Sequence, residues 1–239
     1  MRIKYYSILP FVFQFLFWRM SMRIFFNFFV RLRVTGIEHL ADVSGPVVFA
    51  PNHMSEVDAL LLPLALPKIS KFSPVYFVVK ERRFYNTSTF GWRRHLYQSW
   101  IFRMLGAFAV RSGLQDYETA LSSHVDLLRR GGAVCIFPEG RMSKTGTPGR
   151  AHGGMAYLAV RSPAAVVPVR IHGTAHLSLV RFFLRAHSVS VEFLPPRSLV
   201  VPAGTPEDYR RAAQGVLDEV YRPATTELTA FAHVPAPAV

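Results

Sequence analysis

Short apolar runs alternate with helix-length segments along this chain, and that alternation restricts the available folds more than any other feature. Runs rich in Val, Ile and Phe stand at residues 47–50, 75–79, 107–110, 133–137, 166–171 and 189–194. Between them, residues 58–66, 82–105 (with Gly91 as a possible break), 117–130 and 154–160 carry helical patterns. The third of these has Leu121, Val125 and Leu128 on one face and stops at Gly131-Gly132. Thr205-Pro206-Glu207-Asp208 opens a last helix with a cap, a first-turn proline and two acids at the positive dipole end. That helix is expected to run to about residue 221. Such alternation argues for an α/β fold: a mainly parallel sheet covered by helices. With 239 residues, half of them hydrophobic, the chain holds enough apolar material for one domain core. The α/β domain is assigned to residues 34–222 and a flexible tail, rich in Ala, Pro and Thr, to 223–239.

Residues 1–33 read differently. The first 29 positions contain eleven aromatics, and between Met1 and Arg33 there are six Arg or Lys and no acid. The apolar stretch from Tyr5 to Trp18 falls short of the roughly 20 residues a span requires, and Arg19 and Arg23 interrupt it. Cationic side chains between aromatic segments suit helices lying in the headgroup region, with a single pass from Tyr5 to about Val30 as the alternative. No small-residue cleavage site follows, which argues against a signal peptide.

The net charge of +13 comes from 28 Lys and Arg against 15 acids, and only five of the 28 are Lys. An arginine surface suits an anionic partner: a membrane, a phosphorylated substrate or nucleic acid. No helix-turn-helix, zinc-finger spacing or RNP-like motif supports nucleic acid. Cys135 is the only cysteine, so neither an intramolecular disulfide nor a cysteine zinc cage is available, and its apolar run marks it as core. Nine scattered His show no metal-ligand spacing, so neither metal nor cofactor is expected. Nothing in the sequence sets an oligomeric state.

Four clusters follow or fill predicted strands, where α/β sheets place ligand sites. Asn52-His53-x4-Asp58 puts a histidine in the turn after a strand and an acid at the start of the next helix. Asp58 is placed to fix the tautomer while His53 takes a proton. Taken alone, that spacing is better explained by a capping Asp and an incidental His. Gly106-Ala107-Phe108-Ala109-Val110-Arg111 ends a strand on a guanidinium suited to phosphate. Phe137-Pro138-Glu139-Gly140-Arg141-Met142-Ser143 offers a carboxylate, a cation and a Gly-permitted turn. Glu139 is expected to bond a substrate hydroxyl or orient Arg111 or Arg141, unless these are ordinary surface ion pairs. Val166-Val167-Pro168-Val169 carries a proline that implies an edge or a bulge.

In this order and spacing the four clusters resemble the glycerolipid acyltransferase family typified by 1-acylglycerol-3-phosphate acyltransferases, over residues 35–200. The family motifs are Asn-His-x4-Asp, Gly-x-x-Phe/hydrophobic-x-Arg, Phe-Pro-Glu-Gly-Thr-Arg-Ser and Val-x-Pro-Val. The resemblance implies acyl transfer from acyl-CoA or acyl-carrier protein to a lysophospholipid hydroxyl, with 1-acylglycerol 3-phosphate the favoured acceptor. It casts His53 as base, Asp58 as its partner, and Arg111 and Glu139 as acceptor-binding residues; Gly140 and Arg141, in the same turn, are expected to bind substrate beside them. The expected place is the cytosolic face of the cytoplasmic membrane, on anionic lipid. In the third motif Arg141-Met142 stands for Thr-Arg, which is similar to the acyltransferase half of 2-acylglycerophosphoethanolamine acyltransferase. A lysine common before the glycine matching Gly154 is absent; His152-Gly153 stands there. These departures leave lysophosphatidylethanolamine or a lyso-aminolipid as alternative acceptors. A non-catalytic membrane-binding protein is the alternative of another class, and the joint presence of His53, Asp58, Arg111 and Glu139 argues against it. With no serine or cysteine in a nucleophile elbow, direct transfer is expected, with an oxyanion donor near the Glu139-Gly140 turn.

Overall fold

In a computed structural model of the chain, every side chain from Val47 to Pro51 is buried, and a strand buried on both faces requires a layer against each. The structure describes residues 8, 10–16, 22–67, 70–80, 103–110, 116–143, 147–175 and 187–222. Among these, seven strands form one sheet: β1 (Val30–Thr35), β2 (Val47–Pro51), β3 (Val75–Val79), β4 (Ala107–Ala109), β5 (Ala133–Cys135), β6 (Ala165–His172) and β7 (His187–Phe193). Their order is β1-β7-β6-β2-β5-β3-β4. Strands β6, β2, β5, β3 and β4 run parallel, whereas β7 pairs antiparallel with β6 and parallel with β1. The sheet is therefore mainly parallel with one reversed edge.

Alternate residues of β2 feed two cores. Val47 and Phe49 pack with Leu61, Leu62 and Leu64 of α2 (Asp58–Ala65), and with Phe26 of α1 (Arg23–Phe29). Val48 and Ala50 face the other layer. There Leu121, Val125 and Leu128 come from α3 (Tyr117–Arg129), Met155 and Leu158 from α4 (Gly154–Arg161), and Val216 and Leu217 from α5 (Pro206–Tyr221). Thr205 caps α5 in a capping box with Asp208, as its sequence signature requires.

The sheet begins earlier than expected. Val30–Thr35, placed in the membrane-associated segment up to residue 33, is a strand with alternating burial, Val30 buried and Arg31 and Arg33 exposed. The apolar-polar alternation of Val30, Leu32 and Val34 with Arg31, Arg33 and Thr35 is the signal for it. The expected helix over 82–105, with Gly91, lies almost wholly outside the described residues, as do Arg19, Arg111 and the tail from 223.

Pro168 lies inside the sheet, not at an edge, because β6 has β2 on one side and β7 on the other. The bulge expected of it is present on the neighbouring strand. Val169 pairs with Phe193, yet Val166 pairs with Arg197, so four steps on one chain oppose three on the other. The Pro168 carbonyl accepts from Leu194 N at 2.9 Å. The edge without an N–H thus faces the opened ladder.

Ahead of the sheet, residues 10–16 are helical. Their one buried polar side chain, Gln14, completes the start of β3. Its amide nitrogen donates to Val75 O at 2.7 Å and Leu105 O at 3.0 Å, and its oxygen accepts from Val75 N at 3.0 Å. Gly106, at φ 84°, leaves the room: a Cβ there would stand 2.7 Å from Val75 O and 3.0 Å from Gln14 Nε2. The glycine of the second motif is therefore required by packing. No helix among the described residues is long and apolar enough to cross a membrane. Ile8, Phe11, Val12, Leu16, Ile24 and Phe28 are nonetheless exposed on this N-terminal region.

Candidate active site

The site grows from the carboxyl end of β2, where the chain turns into α2. Asn52 sets where the turn begins. Its buried amide donates to Ile171 O at 2.9 Å and accepts from Ile171 N at 2.7 Å, adding a side-chain rung between β2 and β6. His53 follows in the turn with its Nδ1 3.0 Å from Asp58 Oδ2. The same oxygen accepts from Met54 N at 2.6 Å and Ser55 N at 2.7 Å.

Asp58 is therefore not the cap of α2. The N-cap position is Val57, with no side-chain cap bond, and the carboxylate reaches back into the turn. It is 0% exposed, and its other oxygen, Oδ1, has no hydrogen-bond partner among the described residues. The imidazole of His53, 19% exposed, stacks on Phe137 with centroids 4.0 Å apart and planes 22° apart. Its Nε2 makes no hydrogen bond among the described residues. An imidazole with one nitrogen on a buried carboxylate and the other open is arranged to accept a proton from a bound hydroxyl.

The loop after β5 closes over this turn. Ser143 N donates to His53 O at 2.7 Å, and His53 N donates to Glu139 Oε1 at 3.2 Å. The same Glu139 oxygen accepts from Tyr221 OH at 2.8 Å. Glu139 is 2% exposed and engaged with the protein itself. Its described partners are a backbone amide and a tyrosine; Arg141 is not among them, and Arg111 lies outside the described residues. Gly140, at φ 61°, turns the chain; its N–H donates to Phe137 O at 3.0 Å and is committed there. A Cβ on Gly140 would meet His152 Cδ2 at 2.9 Å.

Arg141 is exposed beside this turn. Burial, and then the charges of Lys80, Arg141 and Arg210, hold the His152 imidazole below its ordinary range. Three cations, from the end of β3, the loop after β5 and the first turns of α5, thus act on His152, which packs against Gly140; Arg210 among them is paired with Glu207 at 2.7 Å. Arg111 lies outside the described residues. Asn52, Phe137 and Tyr221 were not assigned functional roles from the sequence; Asn52 and Phe137 at least stand inside the motifs, whereas nothing near Tyr221 marks it. Cys135 is fully buried at the end of β5. Burial, reinforced by the nearby Asp58 charge, pushes its thiol well above the ordinary range.

A histidine-carboxylate turn at the carboxyl end of a central parallel strand, closed by a Phe-Pro-Glu-Gly loop, defines a class that comparison with known proteins names. The chain belongs to the Acyltransferase family, whose model matches residues 31–172. It is 28% identical over 150 residues to 1-acyl-sn-glycerol-3-phosphate acyltransferase LPAT1, chloroplastic, of Arabidopsis thaliana, covering 62% of this chain and 38% of that protein. It is 26% identical over 132 residues to the probable 1-acyl-sn-glycerol-3-phosphate acyltransferase of Mycoplasma pneumoniae, covering 54% of this chain and 45% of that one. The matched segment spans under half the length of both curated relatives. Among solved structures, the 1-acyl-sn-glycerophosphate acyltransferase PlsC of Thermotoga maritima shares the fold. Its TM-score is 0.54 at 21% identity, over 92% of this chain and 81% of that one.

Proposed function

We propose that this protein moves a fatty acyl group from acyl-CoA or acyl-carrier protein to the free hydroxyl of a lysophospholipid, with 1-acylglycerol 3-phosphate as the favoured acceptor. The observation that carries the reading is the His53 Nδ1 to Asp58 Oδ2 contact at 3.0 Å, with no hydrogen bond to Nε2 among the described residues. Both named relatives are 1-acylglycerol-3-phosphate acyltransferases, one of them a probable one, which favours that acceptor.

In this mechanism His53 Nε2 takes the proton of the acceptor hydroxyl as its oxygen bonds to the thioester carbonyl carbon. The tetrahedral intermediate collapses, the C–S bond breaks, and the departing thiolate takes the proton from the imidazolium. Asp58 holds the tautomer and offsets the positive charge that forms on the ring. Arg141, exposed beside the Gly140 turn, supplies positive charge for the acceptor phosphate, and Arg111 is assigned to the same task. Glu139 acts from behind, by holding the His53 backbone. No acyl-enzyme is formed: Cys135 is buried and protonated, and the Ser55 hydroxyl accepts from Val57 N at 3.3 Å within its own turn. No metal or cofactor enters the scheme.

The exposed N-terminal apolar side chains suit a surface lying on anionic lipid at the cytosolic face, where acyl donors are found. The Arg141-Met142 variation keeps a second acceptor, lysophosphatidylethanolamine, in view. The test is purified protein assayed with 1-acylglycerol 3-phosphate, lysophosphatidylethanolamine and a lyso-aminolipid, each with acyl-CoA and acyl-carrier protein, the products read by mass spectrometry. Phosphatidate should dominate. Preferential acylation of another lysolipid would reassign the acceptor, and no acylation of any would remove the enzymatic reading.

A further inference from the structure

We propose that Tyr221, the last residue of α5, is a positioning residue for His53 and acts through Glu139. The proposal rests on His53 being the base. Tyr221 lies beyond residue 172, outside the segment matched by the family model.

The relay is short. Tyr221 OH donates to Glu139 Oε1 at 2.8 Å, and that oxygen accepts the His53 N–H at 3.2 Å. Glu139 is almost fully buried, so water offers little replacement for a lost donor. Across the same turn Ser143 N holds His53 O, so the His53 backbone is gripped at both its polar groups. Asp58 fixes the ring, and the Glu139 grip fixes the peptide from which the ring projects. Without the tyrosine hydroxyl, the carboxylate keeps, among the described residues, only the weaker, longer bond and gains freedom to rotate.

Tyr221 is itself held in place. Arg170, buried on β6, donates through Nε to Val220 O at 2.8 Å and through Nη2 to Glu219 O at 3.2 Å. Those are among the last carbonyls of α5, where i+4 donors run out, and the Glu219 carbonyl is shared with the Arg222 N–H at 3.1 Å. Arg170 also pairs with Glu192 on β7 at 2.6 Å. The C-terminal end of α5 is thereby fixed to two strands, and the phenol is presented at a set height above the Glu139 turn. Burial, followed by the facing Glu139 carboxylate, pushes the phenol above its ordinary range, so it remains a donor.

The experiment uses the full chain as wild type and Tyr221→Phe, which removes the hydroxyl and keeps the ring. Amide hydrogen exchange is followed by NMR. In the variant the His53 amide should exchange about tenfold faster, the loss of roughly one hydrogen bond's protection. Amides of β6 and of the middle of α5 should keep their wild-type rates. In steady-state acyl transfer, kcat should fall about tenfold with KM within about twofold, since the lost term is ring placement and not acceptor binding. An unchanged His53 amide, or equal acceleration throughout the chain, would overturn the relay. Should the wild type transfer no acyl group, the functional reading fails and the exchange rates still decide whether Tyr221 holds His53.

Discussion

The imidazole of His53 lies on the ring of Phe137, 4.0 Å between centroids and 22° from parallel. The plane that Asp58 sets through one nitrogen is thus set a second time by an aromatic face from the third motif. Replacing His53 by Ala should lower acyl transfer about a thousandfold, the scale of a lost general base, without changing the thermal midpoint appreciably. Phe137→Leu keeps an apolar side chain but loses the face. It should lower kcat several-fold while the acceptor KM holds. Steady-state kinetics beside thermal melts separates the two outcomes, and an active His53→Ala protein would sink the mechanism.

Asp58→Asn tests the other side of the pair. One carboxylate oxygen serves three N–H groups. An amide at this buried position accepts less strongly and brings N–H donors for which the turn offers no acceptor. Activity should fall nearly as far as for His53→Ala. Urea unfolding should also show a loss of about 2 kcal/mol, because the turn N–H groups are weakened together.

His124 gives a pH signature unrelated to catalysis. It is buried in α3, edge-on to Phe108, and neither ring nitrogen makes a well-formed hydrogen bond among the described residues. Burial pushes its pKa from 6.5 down to about 4, and the nearby Phe108 backbone offsets only part of that. The unfolded chain therefore binds this proton first as pH falls. The stability from keeping His124 neutral is full above about 6.5 and is lost on descent toward about 4, amounting to about 2 kcal/mol by about pH 5. His124→Leu should flatten that part of the stability profile when urea midpoints are compared at pH 7.5 and 5; an unchanged slope would refute the assignment.

The proposed lipid contact and the fold draw on different N-terminal side chains. Phe11 and Leu16 are exposed, so replacing both by Ser should weaken flotation with anionic vesicles and leave the urea midpoint near wild type. Gln14→Leu should do the reverse to stability. It strands Val75 N–H and two carbonyls without partners, at a cost of about 3 kcal/mol. Equal vesicle binding by the Phe11/Leu16 double variant would remove these side chains from the lipid contact.

What was legible follows sequence distance. Apolar runs bounded by turns placed six strands because burial on both faces leaves a local composition signal. β1 escaped because Arg31 and Arg33, turned outward, break the run and join it to the basic segment before it. The His53-Asp58 pair was readable because both partners sit in one turn. The Asn52-Ile171, Gln14-Val75 and Tyr221-Glu139 contacts are 119, 61 and 82 residues apart. Each is a buried or half-buried polar side chain serving a distant group, and no residue type or spacing announces such a match before the sheet assembles. Glu139 shows the cost: its motif marked it as important, but only its burial assigns it to holding the protein.

Gln14 has a mechanical consequence. Its three hydrogen bonds couple the helix at residues 10–16 to the start of β3 and to the turn before β4, with no compliant linker between. A load on that helix is delivered directly to the rim of the sheet. Whatever tilts the helix tilts that rim with it.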